Sequence, residues 1–202
     1  MAGRFEPLPG GGAAVALDEV EISILRSLAV QLMELIGPGD EPEPDADPLA
    51  ALFAEGPSEP PSDPALRRLF PDAYGDDSEE LRAAASDFRR FTENDLRARK
   101  RQDALVVVRA LDGLAAGGFD GSGGREGGDG GAVLKLTPEE SRAWLGALND
   151  LRLTIATRLE ITEDEESERL YRLPDSDPRK PMVMAYLWLG ALQESLVETL
   201  MA

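Results

Sequence analysis

Asn149, Asp150, Arg152 and Arg158 are the side chains whose types and spacing come nearest to a binding chemistry in this sequence. A guanidinium offers paired N–H donors to a carboxylate or phosphate, and polar neighbours orient it. Asn149 and Arg152 stand three residues apart, so on a helix they can touch. Arg158 follows Leu151 by one heptad and falls near the edge of the same apolar face. Gln193, in the last helical stretch, is a candidate partner. Two readings follow: a pocket for a small anionic ligand, or a structural polar network that fixes how two helices meet. The network is preferred, because ion-pair networks inside folds imitate ligand sites. No catalytic residue is nominated.

Composition removes most other chemistry. The 202-residue chain has no Cys and no His. Thiolate nucleophiles, imidazole bases, disulfides, zinc sites and serine–histidine triads are thereby excluded together. A hard cation held by carboxylates remains open to the composition, but the acidic residues sit mainly in low-complexity stretches rather than on rigid elements. Neither a metal site nor a cofactor is expected. The formal net charge is −18. A field of that sign repels nucleic acid and anionic membranes, and favours protein partners. The most apolar run, Met182 to Leu192, is too short to span a bilayer, and Glu6 falls where a signal peptide would be apolar. The expectation is a cytoplasmic protein with no membrane contact.

Thr137 to Ile161 carries the polar cluster and reads as the strongest helix. Thr137 with Glu140 makes a capping box and Pro138 fits the first turn. Trp144, Leu148, Leu151, Ile155 and Leu159 form one apolar stripe. Asp18 to Ile36 is a second helix, with a capping box of Asp18 and Glu21, a stripe of Ile24, Leu28, Leu32 and Leu35 widened by Leu25, Met33 and Ile36, and a stop at Gly37-Pro38-Gly39. Arg4 to Leu8 and Ala13 to Leu17 flank Pro9-Gly10-Gly11-Gly12 and read as a hairpin. A hairpin alone is marginal in water, so Ala132 to Leu136 is assigned as its third strand.

Ser78 to about Ala116 reads as one long helix with apolar faces at its ends: Leu81, Ala85, Phe88 and Phe91, then Val106, Ala110 and Leu114. In its middle, Arg89, Arg90, Arg97, Arg99, Lys100 and Arg101 outweigh Glu93 and Asp95, and a kink or overhang is expected there. The basic cluster is assigned to pairing with acidic segments of the same chain rather than to nucleic acid, given the repulsive field and the lack of interleaved aromatics. The last helix, about Met182 to Met201, is apolar around most of its circumference. It is either buried centrally or packs on a second copy of the chain, and Trp188, Tyr186, Leu189 and Leu196 are its interface candidates.

Three stretches read as loops. Residues 37–77 are Pro-rich and acidic, with helical turns at Pro48 to Phe53 and at Pro64 to Pro71, the latter docking through Leu66, Leu69 and Phe70. Residues 37–80 hold thirteen Asp and Glu against Arg67 and Arg68, a net −11. Residues 117–131 are a glycine-rich tether that fits neither a phosphate-binding loop nor a calcium loop. Residues 162–181 are acidic, with Pro174, Pro178 and Pro181 keeping the chain extended.

The run Trp144-Leu145, Ala147 to Leu153 and Thr157-Arg158-Leu159 resembles an uncharacterised actinobacterial family, a domain of unknown function. Leu69-Phe70-Pro71 with Ala73-Tyr74, the spaced residues Arg89, Thr92, Leu96 and Lys100, and Tyr186 to Leu189 with Leu192 to Leu196 extend the likeness over most of the chain. The resemblance implies a gene placed beside the ClpS adaptor of the Clp protease, near genes of sulfur-carrier-dependent cysteine synthesis, and a regulatory role. It implies no catalytic residues.

The sequence thus predicts a single, mainly α (α+β) domain: an irregular bundle of three to four long helices with a small antiparallel sheet. The expected function is a non-enzymatic interaction or regulatory protein, with a protein partner in the Clp machinery and a homodimer through the C-terminal helix. The alternative is a ligand-sensing or transcriptional regulator that binds a small anionic ligand.

Overall fold

A computed structural model of the chain describes residues 3–37, 56–75, 78–117, 131–161, 170 and 172–201. The turn at Pro48 to Phe53, the glycine-rich 117–131 stretch apart from its two ends, and much of the 37–77 and 162–181 loops lie outside the described residues.

The fold is mainly helical, with a three-stranded antiparallel sheet. Strands β1 (Glu6–Pro7), β2 (Ala13–Leu17) and β3 (Ala132–Leu136) pair in the order β1-β2-β3. Ala13 lies opposite Leu136 and Val15 opposite Leu134, which points Ala13, Val15 and Leu17 of β2 and Leu134 and Leu136 of β3 into the core. The hairpin turn depends on glycine at position 12. Its φ is +88°, and a Cβ there would stand 2.2 Å from the carbonyl oxygen of Leu136.

Helix α1 (Glu19–Ile36) starts at the Asp18–Glu21 capping box, with both reciprocal hydrogen bonds made, and stops at Gly37, whose φ is +80°. Its buried row is Leu25, Ala29, Leu32 and Ile36, whereas Ile24 is 41% exposed. The stripe expected through Ile24 is therefore displaced by one residue. Apolar side chains cover more than one row of this helix, and the helix it meets selects among them. Helix α2 (Pro64–Leu69) is capped by the Asp63 carboxylate, which accepts from the N–H groups of Ala65 and Leu66. It docks through Ala65, Leu69 and Phe70, with Leu66 half-buried.

Helix α3 (Glu79–Gly117) is continuous over 39 residues and packs against α1, α4 and β3. Its basic middle, where the sequence predicts a kink or overhang, runs on as helix without interruption. Its buried positions there and beyond are Arg89, Glu93, Ala104, Val107, Val108 and Leu111. Of the expected N-terminal apolar face, Ala85 alone is buried. Leu81, Phe88 and Phe91 are 38%, 48% and 70% exposed.

Helix α4 (Pro138–Arg158) is capped by Thr137 and Glu140 as the sequence predicts, and Trp144, Leu148, Leu151, Ile155 and Leu159 are all buried. Its C-terminus closes with two bonds, from the Glu160 N–H to the Thr157 carbonyl and from the Ile161 N–H to the Ala156 carbonyl. Glu160 adopts a φ of +58°, a position that glycine usually fills.

Helix α5 (Lys180–Met201) packs on α4 and on the first two strands. Leu189, Leu192 and Leu196 are fully buried, so one face of this helix is enclosed against α4 and the sheet, while most of its other positions are half-buried or exposed. That removes Leu189 and Leu196 as interface residues. The first strand region locks onto the α4–α5 pair: the Phe5 N–H donates to the Ser195 hydroxyl at 3.1 Å, and the Phe5 ring meets the Trp144 ring edge-on at 5.9 Å.

Candidate functional site

The seam between α4 and α5 holds the polar group that the sequence singles out, in altered membership. One guanidinium N–H of Arg152 donates to the Gln193 side-chain oxygen at 2.5 Å, and the Gln193 amide donates weakly to the Asn149 side-chain oxygen at 3.4 Å. The guanidinium carbon lies 5.2 Å from the centroid of the Tyr186 ring, a cation–π stack. Gly190 provides the floor: a Cβ there would stand 3.5 Å from Arg152 Nε. Tyr186, Gly190 and Gln193 recur at steps of four and three, so one face of α5 forms a track along which Arg152 lies. Arg152 Nε is shielded from solvent and has no hydrogen-bond acceptor. Asn149, Arg152 and Gln193 are thus brought together, and Tyr186 and Gly190 complete the group.

Arg158 does not join it, and Asp150 meets it only through a side-chain hydrogen bond from Asn149. Asp150 faces α3, where the Lys100 ammonium donates to its carboxylate at 2.6 Å. Burial holds the Asp150 carboxyl above its ordinary range, and the bond from Lys100 opposes that shift. Asp103, next to this pair, is also pushed up, mainly by burial; Arg99 opposes the shift and the Asp150 charge adds to it. Arg158 points outward and donates to Asp63, the cap of α2, at 2.8 Å. The N–H of Leu66, first, and this Arg158 bond hold the Asp63 carboxyl below its ordinary range. Arg158 ties α4 to α2 and is a correction to the expected pocket.

The basic stretch of α3 is absorbed within the fold. Arg89 is buried, paired with Glu93, and it donates to the Phe70 carbonyl and to Asp72 at 2.9 Å each. Arg97 donates to Glu93 and, at 2.7 Å, to the carbonyl of Ile36, with its guanidinium 4.4 Å from the centroid of the Phe70 ring. Arg101 donates to the carbonyls of Met33 and Gly37. Two arginines of α3 therefore satisfy the free carbonyls at the end of α1, which carries no basic residue in its own last turn. The acidic loop contributes Asp72. Among the described residues, Arg90 pairs with Asp87 of the same helix at 3.5 Å, Arg99 is exposed, and the other partners are Glu93, Asp150 and backbone carbonyls.

Trp188 and Tyr186 are half-buried on α5. The Trp188 indole N–H is shielded and has no acceptor. Among the described residues, no group of acidic side chains is arranged to hold a metal ion. The sequence reading missed Gly190 and the role of Tyr186 as a stacking surface. The available signal was a glycine inside a strong helix, four residues after an aromatic.

The sequence profile of "Domain of unknown function (DUF2017)" matches residues 2–200. The chain belongs to the DUF2017 family. Over 201 residues it is 31% identical to the protein named oxidative stress regulator AosR in Mycobacterium tuberculosis (strain ATCC 25618 / H37Rv), covering 98% of this chain and 86% of that relative. The protein of the same name in Mycobacterium bovis (strain ATCC BAA-935 / AF2122/97) matches with the same identity and coverage. The putative oxidative stress regulator AosR of Mycobacterium leprae (strain TN) is 32% identical over 185 residues, 90% of this chain and 79% of the relative. No solved structure matches the chain significantly. The DUF2017 assignment accords with the domain of unknown function that the resemblance indicated.

Proposed function

We propose that this DUF2017 chain is a non-enzymatic regulatory protein of the cytoplasm that acts in the response to oxidative stress through a protein partner. The observation that carries the reading is likeness along 98% of the chain to relatives named oxidative stress regulators. The composition supports it, since a chain without Cys or His offers neither a thiolate nucleophile nor an imidazole base. Among the described residues no helix is long and apolar enough to cross a membrane. The test is complementation. A mycobacterial strain lacking its own relative should regain survival under hydrogen peroxide when this chain is expressed, and continued sensitivity would count against the role. The Clp machinery is the partner that the family resemblance proposes; affinity capture that recovers no Clp component would remove it.

A second reading, a regulator that binds a small anion, is favoured by one observation: Arg152 Nε is a buried donor with no acceptor. A carboxylate entering beside Tyr186 would complete the guanidinium's hydrogen bonding. A panel of small carboxylates and phosphates should raise the melting temperature of the wild-type chain and not of Arg152→Ala. Equal shifts in both proteins would remove the ligand site.

A further inference from the structure

An oxidative-stress role, on which this inference rests, raises a chemical question, because the chain has no thiol. The side chains that take oxygen reversibly from a hydroperoxide are then its five methionines. Met33 is half-buried where α1 meets α3, near the Arg101 bond to its carbonyl. Met182 and Met184, in the first turn of α5, are 44% and 47% exposed, and Val183 between them is 1% exposed. That turn is anchored to the core while both methionines remain nearly half exposed.

Met184 has a further property. Trp188 follows it by four residues, and helical side chains lean back toward the N-terminus, which sets the indole and Met184 on one face of α5. The indole N–H is shielded and lacks an acceptor. A buried donor without a partner is costly, and a thioether is only a weak acceptor. A sulfoxide oxygen is a strong one. Met182 precedes Tyr186 by the same interval, and Tyr186 carries the Arg152 stack.

Met201 is more exposed still, at 83%, so exposure alone does not single out a site. We propose that Met182 and Met184 are the site at which peroxide alters the packing of this chain, and that the Met184 sulfoxide accepts the Trp188 indole N–H. In the step, a sulfur lone pair attacks the peroxide and an S–O bond forms as the O–O bond breaks. The sulfur is oxidised by two electrons. The second oxygen, reduced by the same pair, leaves and takes a proton as water or alcohol. Oxidation normally places a polar group where it disrupts packing. Here it supplies the acceptor that a shielded donor lacks, so it should tighten the start of α5.

The test is a hydrogen peroxide titration of the full chain, with the added oxygen mapped by tandem mass spectrometry and tryptophan emission followed in parallel. Met182 and Met184 should oxidise well before Met33. The emission change should track Met184 and reverse with methionine sulfoxide reductase. It should be lost in Met184→Leu and retained in Met182→Leu. Trp188→Phe should lose the emission change while Met184 still oxidises. Oxidation of Met33 at the same rate, or an unchanged emission response in Met184→Leu, would overturn the proposal. Complementation separates it from the reading beneath it. If the wild-type chain restores peroxide survival and the Met182→Leu/Met184→Leu chain does so equally, the methionines are not the sensor and the regulatory role stands. If the wild-type chain restores nothing, the role fails, and the titration still decides the chemistry.

Discussion

The ammonium of Lys100 on α3 lies 2.6 Å from the carboxylate of Asp150 on α4, and Asp150 is only 2% exposed. This pair joins the two helices that carry most of the polar interior. Removing one partner of such a pair strands the other charge.

Lys100→Met should therefore destabilise the chain by about 3 kcal/mol at neutral pH, read from urea midpoints. The loss should shrink on acidification. Burial already holds the Asp150 carboxyl above the ordinary value of 3.8. A raised folded-state pKa contributes stability that is present below the unfolded value and lost as pH rises through the folded one. Without Lys100 the carboxyl rises further, so the variant gains more than wild type as pH falls. A deficit independent of pH would mean that Asp150 is not the stranded group.

Arg97 closes the end of α1, pairs with Glu93 and stacks on Phe70. Arg97→Ala should cost about 2 kcal/mol or more, from a charge-assisted bond to a carbonyl together with the stack. Arg97→Lys should recover only part of this, because one ammonium cannot reproduce the planar fork. Full recovery by lysine in thermal unfolding would show that charge alone matters.

Gly190 is the floor under Arg152, at ordinary contact distance for one added carbon. Gly190→Ala should be neutral or stabilising by up to about 1 kcal/mol, from helix propensity. Gly190→Leu should displace the guanidinium and lower the melting temperature. Equal behaviour of the two variants would mean that Arg152 is free to move aside.

Glu160 holds a left-handed conformation just past α4, with φ +58°. Glu160→Gly should raise stability by about 1 kcal/mol, since that conformation strains any residue with a Cβ. No gain in denaturant midpoint would show that the Glu160 side chain compensates for the strain.

Local features were legible in the sequence. Both capping boxes, the glycine stop at position 37 and the α4 stripe depend on residues within one or two turns of each other, and the structure has them in place. The polar cluster was legible only in part. An α-helix turns about 100° per residue, so Asp150 and Arg152 leave α4 in nearly opposite directions, and Arg158 leaves in a third. Spacing placed Asn149 beside Arg152, but it could not show that Asp150 would meet α3, or that Arg158 would meet the cap of α2.

By itself, the sequence determined the long helices, the starts of α1 and α4, the stop of α1, the third strand for the hairpin, and the absence of thiol and imidazole chemistry, whereas α5 begins at Lys180, with Pro181 in its first turn rather than in an extended lead-in. The physical reason is that propensity, capping and composition act over short distances along the chain. Tertiary structure decided which row of α1 and α3 is buried, that α5 encloses Leu189 and Leu196 on the face toward α4, and that arginines of α3 serve carbonyls at the end of α1. Those outcomes depend on which surfaces meet across gaps of tens of residues. Several rows of apolar side chains were available to each helix, and packing against its neighbours selected one.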